Sequence, residues 1–261
     1  GLGNDFIIFD NINDPVIHEA EFLKKIGHRR FGVGCDQIMI IENTEKKENF
    51  KVKIYNSNGN EAGACGNGTR CVADYLMKRD NLYSLKIKTI SGDLLCTKER
   101  EVITVNMGEP KFDWKDIPLS KKQNTQKVLL DEFEAFCLSM GNPHAVIFIQ
   151  NLNELESLDL NTIGPRLEKN IIFPEYANIE FACVLENKTI RMRVWERGVG
   201  VTLACGSGAC ATLVAASMLN KSTKENKVIL DGGDLFIKWL SNGTVTLSGE
   251  TEKVFEGIIG N

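Results

Sequence analysis

Polar and apolar residues alternate from Lys51 to Tyr55 and again from Arg191 to Trp195, the period-two pattern of a strand with one buried face. A glycine-rich turn follows in both places. After it, Gly68–Lys78 or Gly208–Leu219 is a run of small and apolar residues that predicts a buried helix. Strand-like stretches come next, Leu85–Ile90 or Lys227–Leu230, then a predicted turn at Gly92-Asp93 or Gly233-Asp234, then Val102–Val105 or Gly243–Leu247. Near the start, Glu19–Ile26 has the spacing of a short amphipathic helix. Between the two series, Pro110 to Lys127 is polar, with two prolines and a Lys-Lys-Gln-Asn-Thr-Gln run, and reads as a linker.

The two series are one pattern written twice. Lys51-Val52-Lys53-Ile54-Tyr55-Asn56 aligns with Arg191-Met192-Arg193-Val194-Trp195-Glu196 at an offset of 140 residues, and the same offset carries Ala64-Cys65-Gly66-Asn67-Gly68 onto Ala204-Cys205-Gly206-Ser207-Gly208. Gly3-Asn4 matches Gly141-Asn142 at 138. Gly92-Asp93-Leu94 matches Gly233-Asp234-Leu235, and Gly108-Glu109 matches Gly249-Glu250, both at 141. The expected architecture is therefore α+β: two pseudo-symmetric domains, residues 1–118 and 119–261, each a curved, mainly antiparallel sheet wrapped around a central helix.

Composition narrows the class. The 261 residues are 43% hydrophobic and 25% charged, with a net charge of −4, which excludes disorder, collagen and coiled coil. A small negative balance without a basic block argues against nucleic acid or an anionic membrane as a partner. A small-molecule substrate is expected instead, and a homodimer is admitted. Asp5 and Asp10 interrupt the first apolar stretch, so no signal-peptide core is read there. Eight cysteines are too dilute for a disulfide scaffold, and the expected compartment is the cytoplasm. Gly198 to Asn220 carries no charge over 23 residues, yet four glycines argue for a buried strand, turn and helix over a membrane span.

Cys65 and Cys205 occupy the same place, Ala-Cys-Gly-x-Gly at the mouth of a predicted helix. Unpaired N–H groups and the helix dipole make such a mouth attractive to anions, and should lower the pKa of a cysteine there. The dipole contributes about 0.3–2 kcal/mol, on the order of one pKa unit. Either cysteine alone would read as a small core residue; the matched placement favours a thiolate role. No C-x2-C pair occurs, so no metal site is expected, and Cys71 and Cys210 read as packing inside the helices. Inverting a stereocentre needs a base on one face and an acid on the other, and a duplicated fold can supply one thiol to each. A carboxylate held by both helix mouths would have its enediolate-like charge stabilised by their N–H groups. This chemistry points to an amino-acid racemase or epimerase working without an electron-sink cofactor.

At these residues the chain resembles the diaminopimelate epimerases. The segments that carry the resemblance are Gly1-Leu2-Gly3-Asn4-Asp5-Phe6, Arg30-Phe31-Gly32-Val33-Gly34-Cys35-Asp36-Gln37, Asn56 through Arg70, Gly141-Asn142-Pro143-His144, Asn178-Ile179-Glu180-Phe181, and Glu196-Arg197-Gly198 running into Ala204-Cys205-Gly206-Ser207-Gly208. The resemblance implies a two-domain fold, conversion of LL- to meso-diaminopimelate without cofactor, and a C-terminal segment packing back on the first domain. It implies that Cys65 and Cys205 are the acid/base pair, with His144 and Glu196 steering protonation. It further implies that Gly66, Asn67, Gly206 and Ser207 present N–H groups to the reacting carboxylate, and that Asn4, Gln37, Asn56, Asn142, Asn178, Glu196 and Arg197 hold the rest of the substrate.

Three positions depart from the family pattern: Val201 stands where a glutamate is usual, Ser207 where threonine is, and Asn58-Gly59-Asn60 replaces an Asp-Gly-Ser turn. Two other functions stay open at this point. Proline and hydroxyproline racemases share the paired Cys-Gly-x-Gly turns, but commonly carry His where Asn67 stands and lack the Glu196-Arg197 pair. A non-catalytic binding or thiol redox protein would have no use for two matched thiols 140 residues apart.

Overall fold

The computed structural model describes residues 1–12, 19–44, 49–63 and 65–259, so Ala64 of the first cysteine motif lies outside the described residues. The chain divides into two units. The first holds residues 3–105 and the terminal segment from Gly249; the second runs from Asn106 to Ser248.

The first unit contains β1 (Phe6–Asp10), α1 (Ala20–Gly27), β2 (Gln37–Asn43), β3 (Asn49–Asn56), β4 (Glu61–Ala62), α2 (Gly66–Asp80), β5 (Ser84–Thr89), β6 (Gly92–Glu99) and β7 (Val102–Asn106). Its strands lie in the order β1-β2-β3-β5-β6-β7, with β4 paired to β3. Parallel neighbours require a crossover. α1 lies in the connection between parallel β1 and β2, and α2 in that between parallel β3 and β5; the other pairs are antiparallel. α2 packs on β1, β2, β5 and β6, burying Val72, Ala73, Leu76 and Met77. It stops at Asn81, whose left-handed φ of 54° lets its N–H reach Met77 O, a conformation asparagine tolerates better than most residues.

The second unit contains β8 (Val128–Leu130), β9 (Phe133–Ser139), β10 (Pro143–Phe148), α3 (Leu152–Ser157), α4 (Leu160–Glu168), β11 (Asn178–Val184), β12 (Ile190–Glu196), β13 (Gly200–Val201), α5 (Gly206–Met218), β14 (Glu225–Leu230), β15 (Gly233–Trp239) and β16 (Val245–Gly249). The order is β8-β9-β10-β11-β12-β14-β15-β16, with β13 on β12. Again the parallel pairs are two, β10 with β11 and β12 with β14, the second bridged by the buried helix. α5 packs on β9 to β12, β14 and β15, with every residue from Gly208 to Ala216 buried. The uncharged stretch from Gly198 is thus a short strand, a turn and a thirteen-residue core helix. Among the described residues no helix is long and apolar enough to cross a membrane.

The structure alters three expectations. The Gly-Asp pairs are not turns but the first residues of β6 and β15, where Gly92 (φ 129°) and Gly233 (φ 136°) adopt a backbone that disfavours a side chain. The stretch from Pro110 to Lys127 is not a free linker, because Ile117 (1% exposed) and Leu119 (4%) enter the second unit's core and Thr125 O accepts from Cys137 N. The division consequently falls at Val105/Asn106 rather than 118/119, and the terminal segment groups with the first unit, where Thr251 Oγ1 donates to Asp74 Oδ2 at 2.9 Å.

Candidate active site

Each buried helix begins at its cysteine. Cys65 is the N-cap of α2 and Cys205 the N-cap of α5, both with extended backbone (φ −151° and −126°). Each thiol accepts a hydrogen bond from the glycine three residues on: Gly68 N at 3.3 Å and Gly208 N at 3.4 Å from Sγ. Sulfur here takes the place that a serine or aspartate oxygen usually fills, satisfying one first-turn donor. The earlier N–H groups, those of Gly66 and Asn67 or Gly206 and Ser207, have no acceptor within a helix and stay available to an anion.

In the first unit, the predicted polar residues form a chain of bonds around this mouth. Asn67 Nδ2 donates to Asn4 Oδ1 (2.8 Å), Asn4 Nδ2 donates to Asp36 Oδ2 (3.1 Å), and the fully buried Arg70 donates to Asn67 Oδ1 (3.0 Å). Gln37 Nε2 donates to Asn56 Oδ1 at 3.0 Å across the β2–β3 pair. Under the mouth lies Met39: a Cβ added at Gly68 would sit 1.9 Å from its Cε and 3.3 Å from the Phe6 ring.

In the second unit, the same place under the mouth is charged. A Cβ at Gly208 would meet Glu180 Oε1 at 2.7 Å and Cys205 Sγ at 3.2 Å. Glu180 and His144 are both fully buried and bonded, Oε1 to Nδ1 at 2.7 Å, and His144 Nε2 lies 2.9 Å from Asn142 Oδ1. Asn142 Nδ2 reaches Ser207 Oγ (3.4 Å), itself 3.6 Å from Cys205 Sγ. Glu196 accepts from Thr202 Oγ1 and is hydrogen-bonded to Cys205. Asn178 spends its amide on the chain itself, donating to Pro143 O and accepting from Arg197 N, each at 2.9 Å. Arg197 is exposed, with Nη1 3.2 Å from Glu175 O. Val201 lies on β13, 42% exposed.

Electrostatics overturn one expectation. Burial pushes the Cys205 thiol well above its ordinary value, and the charges of Glu196 and Glu180 push the same way; the Gly208 N–H and Ser207 hydroxyl oppose them. Burial and the two carboxylates outweigh the helix-mouth donors, so the Cys205 thiol lies above its ordinary value and not below it as a helix mouth alone would place it. Burial also raises the Glu196 carboxyl; its bonds with Thr202 and Cys205 and the His144 charge work against that, and Glu180 works with it.

Two residues were missed by sequence reasoning. Glu180 is the one carboxylate in a strand buried on both faces, a position where it must have a partner. Glu168, 4% exposed, takes Trp195 Nε1 (2.8 Å) and Gly198 N (2.7 Å) on its two oxygens, and so braces the Glu196-Arg197-Gly198 turn. No sequence signal marks it.

The chain is similar to known proteins in sequence and in fold. The family model of diaminopimelate epimerase matches residues 1–113 and 136–254. The diaminopimelate epimerase of Rhodospirillum centenum is 42% identical over 98% of this chain and 89% of its own length, and that of Acidiphilium cryptum 43% over 98% and 93%. Among solved structures, a PhzF-family phenazine biosynthesis protein of Bacillus anthracis superposes with a TM-score of 0.68 at 17% identity, covering 96% of this chain and 91% of that one. A hydroxyproline epimerase of Agrobacterium vitis does so at 0.60 and 11%, covering 92% and 78%. The last two share the fold alone. With both cysteine motifs inside the matched regions and relatives above 40% identity along nearly the whole length, the chain belongs to the diaminopimelate epimerase family.

Proposed function

We propose that the protein interconverts LL- and meso-2,6-diaminopimelate by moving a proton at one α-carbon with two cysteines and no electron-sink cofactor. The observation that carries this reading is the pair of N-cap thiols, each bound alike to the glycine three residues on. Removing an α-proton makes an enediolate-like anion, and helix-mouth N–H groups at Gly66, Asn67, Gly206 and Ser207 are the donors suited to its charge. One cysteine, as thiolate, takes the α-proton while the other, as thiol, gives a proton to the opposite face. The roles reverse for the opposite direction.

The distal amino-acid end of the substrate offers an ammonium and a carboxylate. Glu196 matches the first and the Arg197 guanidinium the second by forked bonds, with Asn4, Gln37, Asn56 and Asn142 completing the set and Asn178 holding the Arg197 backbone in place. Proline has no such end. None of the eight cysteines is disulfide-bonded, which fits the reducing cytoplasm. The test is stereochemical turnover of purified protein with LL-diaminopimelate and no added cofactor, with proline beside it in heavy water. Deuterium at the diaminopimelate α-carbon only is the expected result; exchange into proline alone would move the chain to the racemases, and exchange into neither would remove it from this chemistry.

A further inference from the structure

Arg70 lies in the second turn of α2 and has no exposed surface. A guanidinium only donates and is not deprotonated in proteins, so the Asn67 atom that its Nη1 reaches at 3.0 Å must be the amide oxygen. The other end of that amide is then a donor, and the atom it meets at 2.8 Å, Asn4 Oδ1, must accept. Asn4 in turn gives its Nδ2 to Asp36 Oδ2 at 3.1 Å, and Asp36 is held from its other oxygen by Arg29 at 2.6 Å. An asparagine amide left to itself can be turned end for end. Here a cation at one end of the chain and a carboxylate at the other fix the sense of both amides. We propose that Arg70 is a positioning residue, setting which end of Asn67 and of Asn4 meets each partner at the first helix mouth.

The second unit shows the mouth without such a residue. The 140-residue offset that pairs the cysteines puts Ser207 in the place of Asn67 and the small, buried Cys210 in the place of Arg70, while Asn142 answers Asn4 at 138. There the bond across the mouth runs the other way, from Asn142 Nδ2 to Ser207 Oγ at 3.4 Å. The duplicated backbone therefore leaves the sense open, and the side chain behind the mouth decides it. Burying a guanidinium is costly unless bonds replace its water. A residue needed only to fill this space could be apolar. Asn4 and Asn67 belong to the set assigned to the substrate, so the effect of Arg70 on binding rests on the epimerase reading.

The direct readout is solvent exchange of the Asn67 side-chain amide protons, followed by NMR in the parent and in Arg70→Met. Asn67 is 2% exposed and its Nδ2 is bonded, so the parent should exchange slowly. In Arg70→Met exchange should quicken about 10-fold or more while the backbone amides of α2 keep their protection. Fast exchange in the parent, or unchanged exchange in the variant, overturns the proposal; protection lost along all of α2 would reduce Arg70 to a structural role. With diaminopimelate, KM of Arg70→Met should rise about 10-fold and kcat stay within about threefold of the parent. Arg70→Lys keeps a donor-only cation and should recover most of that rise. A KM unchanged in Arg70→Met, a loss in kcat alone, or a Lys variant no better than Met contradicts the proposal. Should Arg70→Met not fold, Arg70→Gln takes its place, since a glutamine can offer Asn67 either a donor or an acceptor and fixes neither. A parent without turnover would refute the epimerase reading and leave amide exchange to judge the chain of bonds.

Discussion

The mouths of α2 and α5 share a backbone and differ in what lies under them. Both begin at a capping cysteine, both need a glycine three residues later, and in both the strand two places over presses a side chain against that glycine. In the first half that side chain is Met39 with Phe6 beside it; in the second it is Glu180 with His144. Phe6 and His144 hold equivalent register positions, opposite Gln37 and Asn178 in parallel strand pairs. Duplication has kept the geometry of the thiol and changed its electrostatics. The same capping thiol thus sits over unlike floors, an apolar one in the first half and a carboxyl–imidazole pair in the second.

Moving the charge to the wrong half should have the largest effect on stability. Met39→Glu buries a carboxylate with no histidine opposite, a loss of about 3–5 kcal/mol in denaturant unfolding. A variant as stable as the parent would show that the first mouth is wet enough to solvate it and that the contrast is superficial. Added methyl groups come next. Gly208→Ala meets a carboxylate pinned by His144 and should lose about 1–3 kcal/mol, whereas Gly68→Ala meets the free end of Met39, which can swing aside, and should lose less. Equal losses by thermal unfolding would erase that distinction.

Alkaline pH tests the buried thiols of both halves. Burial pushes Cys35 up to about 11 and Cys96 up to about 12 in the first half, and raises Cys137 and Cys205 in the second. Above the ordinary thiol value of 9.0 the unfolded chain loses these protons while the folded chain keeps them, so stability falls as pH rises. Each thiol contributes up to about 1.4 kcal/mol per pH unit. Cys96→Ala and Cys137→Ala should each flatten the decline of Tm between pH 9 and 11; an unchanged slope in both would show that these thiols ionise without unfolding. The smallest effect is expected at Glu168. Glu168→Gln turns one acceptor into a donor, costing about 1–2 kcal/mol and raising KM for diaminopimelate several-fold through the Glu196-Arg197 turn. A KM within twofold of the parent would detach that turn from substrate binding.

The strands and helices of the repeat were legible because their periods are local. Arg191–Trp195 alternates, Gly208–Leu219 does not, and each became the predicted element. Parallel pairing of β3 with β5 and of β12 with β14 was not legible, since it is set by the crossover and not by residue pattern. Ile117 and Leu119 were lost in a polar run because two apolar residues give no period. At the site, the cysteines declared themselves by repetition. The upward shift of the Cys205 thiol did not, because it depends on burial and on Glu196 and Glu180, which tertiary packing brings beside it from 9 and 25 residues upstream. Glu180 could have been found as the lone carboxylate in a strand buried on both faces.

The account rests on two thiols acting on one carbon, and the most direct measurement is exchange of the diaminopimelate α-proton in heavy water by Cys65→Ala and Cys205→Ala, each checked for folding by its thermal transition. Truncation to alanine keeps most of the volume and removes the acid/base group, so each variant should lose inversion by about 10²–10⁴-fold or more with little change in Tm. Inversion by either single variant within tenfold of the parent would contradict the two-thiol mechanism.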